Sequence, residues 1–192
     1  MFRRMTRERF LSDAELERFM AAVRERHHKH QPRDHALFAL IANVGVAPRE
    51  AMAFTRSDVH MHARPPWIRL HRPHKKHAAE PTNELIVNRQ VASVVAKHLR
   101  SLPDEPTQRL FPFTKRQSER LFKYYCRLAG IGESYKLFSL RHTFGMKMWR
   151  HTKDLRLMQA IMGHVRLQAT ASYVHVTPER LRQVSEQLGT VS

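Results

Sequence analysis

The chain has 192 residues, enough for one compact domain with a substantial core and short for two. Lys and Arg number 34 against 17 acids, giving a formal net charge of +17 and a sequence pI near 11.1. A charge of that size repels itself unless a polyanion is near, so nucleic acid is the first candidate partner and an anionic membrane surface the second. The single cysteine, Cys126, excludes a disulfide framework within the chain and fits a reducing compartment. No apolar run follows the basic start Met1-Phe2-Arg3-Arg4, and none reaches the ~18 residues a membrane helix needs.

The elements follow in chain order. Ser12-Asp13-Ala14-Glu15 is a capping-box pattern that opens an amphipathic helix to about Arg26, with Leu16, Phe19, Met20 and Val23 on one face. A polar break, His27 to Pro32, leads to an apolar helix over Asp34 to Val44, closed by Gly45. Pro48 opens a short helix through Phe54, and Ser57-Asp58 reads as a turn. Trp67-Ile68-Arg69-Leu70-His71 alternates as a half-buried strand does, and Glu84-Leu85-Ile86-Val87 is a second short strand. Between them Arg72 to Asn83 forms a long basic turn, so the pair reads as a hairpin. Helices resume over Arg89 to Leu102 and Lys115 to Ala129, separated by a loop marked by Pro103 and Pro106 and stopped by Gly130. Further helices cover Ser139 to His151 and Lys153 to Met162, the latter closed by Gly163. Thr177-Pro178-Glu179 caps a last helix to about Leu188. The fold class is mainly α with a small antiparallel β-sheet, an α+β arrangement.

Three short pieces near the C-terminus carry chemistry: Leu140-Arg141-His142-Thr143-Phe144, Ile161-Met162-Gly163-His164, and Thr170-Ala171-Ser172-Tyr173-Val174-His175. Taken in order and at this spacing they resemble the tyrosine recombinase, or phage integrase, family. Upstream, Val44-Gly45-Val46-Ala47-Pro48-Arg49-Glu50-Ala51 followed by Ser57-Asp58 stands where that family has Thr-Gly-Leu-Arg-x-x-Glu-Leu and a Ser-Asp turn. The resemblance covers nearly the whole chain from about Ser12. It implies the catalytic-domain fold of that family over residues 12–192, behind a basic extension of residues 1–11 and without the N-terminal core-binding domain that completes a clamp on DNA.

The resemblance also implies a chemistry. The family breaks and rejoins DNA strands at specific sites through a 3′-phosphotyrosine intermediate, with no metal or cofactor. Tyr173 takes the place of the nucleophile, Arg141 that of a phosphate-binding arginine, and His164 that of the histidine that supports the phosphate or the nucleophile. His142 is read as structural. A catalytic lysine on the β-turn would protonate the leaving 5′ oxygen; Lys76 is the candidate, with Lys75 beside it. The residue types suit the task. A tyrosine hydroxyl with pKa near ~10 is a poor nucleophile, and a DNA phosphodiester repels attack. Arginine grips two phosphate oxygens with its planar fork and stays charged, which stabilises the charge of the transition state.

Two positions depart from the family. Ala47 stands where the first arginine belongs, and Phe138 where a histidine precedes Arg141 by three residues. Arg49 is two positions later than Ala47, a helical rotation of ~200° that turns its side chain away. Phe138 can neither hydrogen-bond a phosphate nor carry a proton. The expectation is therefore twofold: a recombinase whose cutting is slow, or a non-catalytic DNA-binding protein (a regulator, replication or accessory factor) on the same fold. Lys115, Arg116, Arg120 and Lys123 form a basic face on the predicted fifth helix and, with Lys75, Lys76 and Arg49, are candidates to hold double-stranded DNA. His71, His74 and His77 recur every third residue, but no Cys or placed carboxylate joins them as a metal set. The tail helix, with Leu181, Val184 and Leu188 on one side, is a candidate contact for a homo-oligomer on DNA. No membrane partner is expected, and a cytoplasmic setting on a bacterial, phage or plasmid element follows from the family.

Overall fold

The computed structural model describes residues 10–70, 84–132, 134–164 and 166–174. Eight helices and three short strands are seen among them: α1 (Asp13–Glu25), α2 (Gln31–Val44), α3 (Pro48–Ala53), β1 (Val59–His60), β2 (Trp67–Arg69), β3 (Glu84–Ile86), α4 (Arg89–Leu99), α5 (Lys115–Leu128), α6 (Phe138–Thr152), α7 (Leu155–Met162) and α8 (Leu167–Ala171). The mainly helical class with a small antiparallel sheet is the one the sequence indicates.

Helix α2 is the centre of the molecule. Apolar all round, it buries Ala36 to Ala42 without interruption and packs against α1, α4 and α6. It begins at Gln31, three residues before the expected start, because Pro32 falls in the first turn, where a missing N–H costs nothing. Buried Asp34 is served from three sides: Arg33 Nη2 at 2.8 Å, the Tyr125 hydroxyl donating at 3.1 Å, and His28 Nε2 at 3.6 Å. The capping box of α1 forms as expected, with the Glu15 N–H donating to Ser12 Oγ at 3.2 Å and the Ser12 N–H to Glu15 Oε2 at 2.7 Å.

The sheet has three strands in the order β1-β2-β3, all antiparallel, one more than the expected hairpin. In β2 and β3, Ile68 pairs with Leu85 and both are buried. The added strand β1 is two residues long, too short to show an alternation. The expected Ser57-Asp58 turn is a 3₁₀ turn, Arg56–Asp58, in which Asp58 Oδ2 accepts from the Thr55 N–H at 2.8 Å. Helix α8, for which the sequence carries no clear signal, is a five-residue helix just before Tyr173. No helix among the described residues is long and apolar enough to cross a membrane.

Apart from the main core there is a smaller apolar cluster: Phe10, Met146, Met158, Met162 and Tyr173, flanked by Phe144, Met148 and Trp149. Met158 and Met162 of α7 thus serve as core packing. Phe10 and Leu11 are buried, and the Leu11 N–H donates to Thr143 Oγ1 at 2.9 Å, so the chain joins the domain before α1 begins.

Candidate active site

Three helix-end signals position the site. The first is Gly45, with φ of 76°, at the end of α2. A Cβ there would lie 2.2 Å from Cδ1 of Phe144, so only glycine lets the end of α2 approach α6 this closely. The second is Ala47, the N-cap of α3, which brings Glu50 back over the helix start: the Ala47 N–H donates to Glu50 Oε2 at 2.7 Å. The third is Gly163, left-handed at φ 59°, which stops α7 and turns His164 toward α8.

Arg141 is buried on α6, 5% exposed. Its Nη1 donates to Glu50 Oε2 at 3.1 Å and its Nη2 to the Met162 carbonyl. One carboxylate oxygen therefore ties the α3 cap to the guanidinium, and the end of α7 fixes the guanidinium plane. A buried arginine held by an ion pair and a carbonyl is a fixed cation rather than a mobile one.

Tyr173 is 2% exposed and lies within electrostatic reach of this cation. Its ring occupies space that Gly145 leaves open: a Cβ on Gly145 would sit 2.5 Å from Tyr173 Cε1 and 2.7 Å from Cζ. Its hydroxyl is 2.8 Å from His142 Nδ1. The His164 ring stacks nearly parallel to the Tyr173 ring, with planes 12° apart and centroids 6.3 Å apart, while its Nδ1 is hydrogen-bonded to Thr170 Oγ1 at 3.0 Å. Burial pushes the Tyr173 phenol up to about 12, and the Arg141 charge pulls the other way.

The structure thus brings together Tyr173, Arg141 and His164, as the sequence pattern suggests, and adds Glu50 and His142. Glu50 is visible in the sequence as part of the α3 pattern, but its hold on Arg141 spans 91 positions and no local signal announces it. His142, structural on the sequence pattern alone, makes a contact with Tyr173 that spans 31 positions. The signal that could find it is helical: His142 lies one turn beyond Phe138 on the same face. The Phe138 ring meets the His142 ring edge-on at 4.8 Å and is itself 42% exposed.

Other candidates lie further out. Arg49 is exposed on the first turn of α3 and joins none of these contacts among the described residues. On α5, Lys115, Arg116 and Arg120 are exposed and Lys123 half-buried, while Ser118, Phe122, Tyr125 and Cys126 face the core. Glu119 of the same helix accepts from the Leu137 N–H at 3.0 Å, which anchors this basic face beside the start of α6. Lys75, Lys76, the three spaced histidines and the tail helix lie outside the described residues.

A mainly helical domain with a small three-stranded antiparallel sheet, in which a tyrosine, an arginine and two histidines from three sequence motifs come together, has the architecture of a recombinase catalytic domain. Residues 9–180 match the phage integrase family, and the chain belongs to it. Tyrosine recombinase XerD of Pseudomonas putida is 29% identical over 161 residues, 81% of this chain and 53% of that protein. Tyrosine recombinase XerC of Staphylococcus saprophyticus is 47% identical over 58 residues, 30% of this chain and 19% of that protein. The chain spans about half the length of the XerD proteins it matches over 161 residues. Among solved structures, XerH site-specific recombinase bound to its difH substrate superposes with a TM-score of 0.77 at 21% identity, over 96% of this chain and 55% of that one. The catalytic domain of bacteriophage HP1 integrase gives 0.60 at 18% identity, over 95% of both chains.

Proposed function

We propose that this chain breaks and rejoins DNA strands by attack of Tyr173 on a phosphodiester, forming a 3′-phosphotyrosine link. The observation that carries the reading is the buried Tyr173 phenol within electrostatic reach of the fixed cation Arg141. The tyrosine oxygen would bond to phosphorus, Arg141 would stabilise the extra negative charge on the phosphoryl oxygens, and His164 would line the nucleophile's other side. Because the phosphotyrosine bond retains the energy of the broken diester, rejoining needs no nucleotide triphosphate. Double-stranded DNA is held through the exposed cations of α5, and in this reading Lys75 and Lys76 of the β2–β3 connection reach the same duplex. Lys76 supplies the proton to the leaving oxygen.

A second reading has its own support. Ala47 and Phe138 remove two groups from the phosphate cradle, and loss of one charge-stabilising donor in comparable sites costs ~2.7–4 kcal/mol, or roughly 10²–10³ in rate. A domain that binds DNA without cutting it fits that loss.

The deciding experiment uses nicked duplexes with a randomised centre, which trap a covalent intermediate because the short strand diffuses away. A protein–DNA adduct that survives denaturation in the wild type and is missing from Tyr173→Phe supports cutting. DNA binding with no adduct, even in the double variant Ala47→Arg, Phe138→His, overturns it in favour of the binding reading.

A further inference from the structure

We infer that His142 is the group that takes the proton from Tyr173 when the tyrosine attacks, and returns it when the strands are rejoined. The inference rests on the strand-breaking reading above and goes beyond it by naming the base. Four observations carry it. His142 Nδ1 lies 2.8 Å from the Tyr173 oxygen, within hydrogen-bonding distance for a transfer. The His164 ring runs nearly parallel to the Tyr173 ring, with planes 12° and centroids 6.3 Å apart, and its Nδ1 is engaged with Thr170 Oγ1. Arg141 stays protonated throughout and cannot accept. Finally, the His142 ring is half-buried, not sealed, and Phe138 packs edge-on against it at 4.8 Å, which fixes the imidazole plane. Phe138 cannot move a proton, but it holds in place a histidine one helical turn away that can.

The step balances. The Tyr173 oxygen forms a bond to phosphorus while its O–H bond breaks, and the proton passes to His142 Nδ1, giving an imidazolium. The bond from phosphorus to the 5′ oxygen breaks with its electron pair on that oxygen, which a separate acid protonates. In rejoining, the 5′ hydroxyl attacks phosphorus and its proton passes to the conjugate base of that separate acid, the bond from phosphorus to the tyrosine oxygen breaks with its electron pair on that oxygen, and the imidazolium gives its proton back to it.

The test has two arms. In the first, ¹⁵N NMR of histidine-labelled wild type, with His142→Gln to assign the signal, reads which ring nitrogen of His142 carries the proton. A neutral ring protonated on Nε2, whose Nδ1 signal moves in Tyr173→Phe, supports the inference. A ring protonated on Nδ1 at neutral pH cannot accept there and overturns it. In the second arm, adduct formation on the nicked duplexes is timed. His142→Gln should slow it by roughly 10²–10⁴-fold with DNA binding intact. Added imidazole should recover part of the rate in His142→Ala in proportion to its concentration, which a purely structural role for the ring would not produce. An adduct rate unchanged or raised in His142→Gln, or His142→Ala that imidazole leaves untouched, overturns the inference alone. No adduct from the wild type or from Ala47→Arg, Phe138→His overturns the strand-breaking reading, and this inference with it.

Discussion

Replacing Gly145 with alanine separates two opposed effects that the structure makes calculable. Gly145 lies in the interior of α6, where alanine is favoured over glycine by ~0.8–1 kcal/mol. The added methyl, however, would meet Tyr173 Cε1 at 2.5 Å, Cζ at 2.7 Å and Met162 Sδ at 3.1 Å. The tyrosine ring has to give way, losing its hydrogen bond to His142 and part of its burial. Overpacking of this kind costs ~1–3 kcal/mol. Gly145→Ala alone is therefore expected to be neutral to destabilised by about 2 kcal/mol, the difference of the two effects. In a Tyr173→Ala background the two shortest contacts are gone and only the flexible Met162 Sδ at 3.1 Å remains, so the same change should stabilise the fold by up to ~1 kcal/mol of propensity. Urea unfolding of the four proteins gives the cycle, with an expected coupling of ~1–3 kcal/mol. Equal effects of Gly145→Ala in both backgrounds would mean that the Tyr173 ring does not fill the space beside Gly145, and the placement of Tyr173 against α6 would be wrong.

The neighbouring groups respond in ways that can be measured separately. Glu50→Ala leaves the Arg141 charge buried without its carboxylate and removes the cap of α3; unfolding measurements should show a loss of ~3–5 kcal/mol, and Glu50→Gln, which keeps an acceptor for the Ala47 N–H, a smaller one. Burial lowers the His98 pKa below its usual 6.5, against the raising effect of its hydrogen bond to the Leu110 carbonyl, so the folded state resists protonation there. Stability is then full above about pH 6.5 and falls as pH drops through the lowered value, and His98→Gln should flatten that acid limb in urea midpoints. The Tyr173 phenol, raised to about 12, acts in the opposite direction: its contribution is full below about pH 10 and is lost toward pH 12, an alkaline limb that Tyr173→Phe should make shallower. Neutralising Lys115, Arg116, Arg120 and Lys123 together should make the log–log salt dependence of DNA binding shallower, by up to ~0.9 for each phosphate these side chains neutralise; an unchanged slope would remove α5 from the DNA interface.

The order of elements and most helix boundaries are legible in the sequence because their signals are local. The capping box at Ser12, the left-handed Gly45 and Gly163 and the alternation at Ile68 each act within a few residues, and α5 starts at Lys115, where its Thr114–Gln117 capping box places it. The small elements are harder to read. Strand β1 has two residues and gains its identity only by pairing with β2, and α8 is a five-residue helix whose N-cap makes no side-chain bond. The site divides in the same way. Tyr173, Arg141 and His164 stand out as motif positions, whereas their geometry depends on partners far away in the chain. Gly45 shows the limit clearly: its role as a helix stop is local, but its second role, leaving room for the Phe144 ring, exists only once α2 and α6 are packed.

The departures at Ala47 and Phe138 also look different once the contacts are known. An arginine at 47 would begin at the cap whose backbone N–H already engages Glu50, and Glu50 in turn holds Arg141. The backbone and the carboxylate of that corner are thus present without the arginine side chain. Phe138 likewise keeps the ring contact that orients His142 while lacking a proton to move. What the strand-breaking reading lacks at both positions is a donor toward a phosphate, and what remains is the set of contacts that holds Tyr173: Gly145 beside its ring, the near-parallel His164 ring and His142 at its oxygen. If the domain cuts DNA, its deficit should therefore lie in stabilising the transition-state charge rather than in placing the nucleophile. That deficit is the kind an added arginine at 47 can reverse without rebuilding the site.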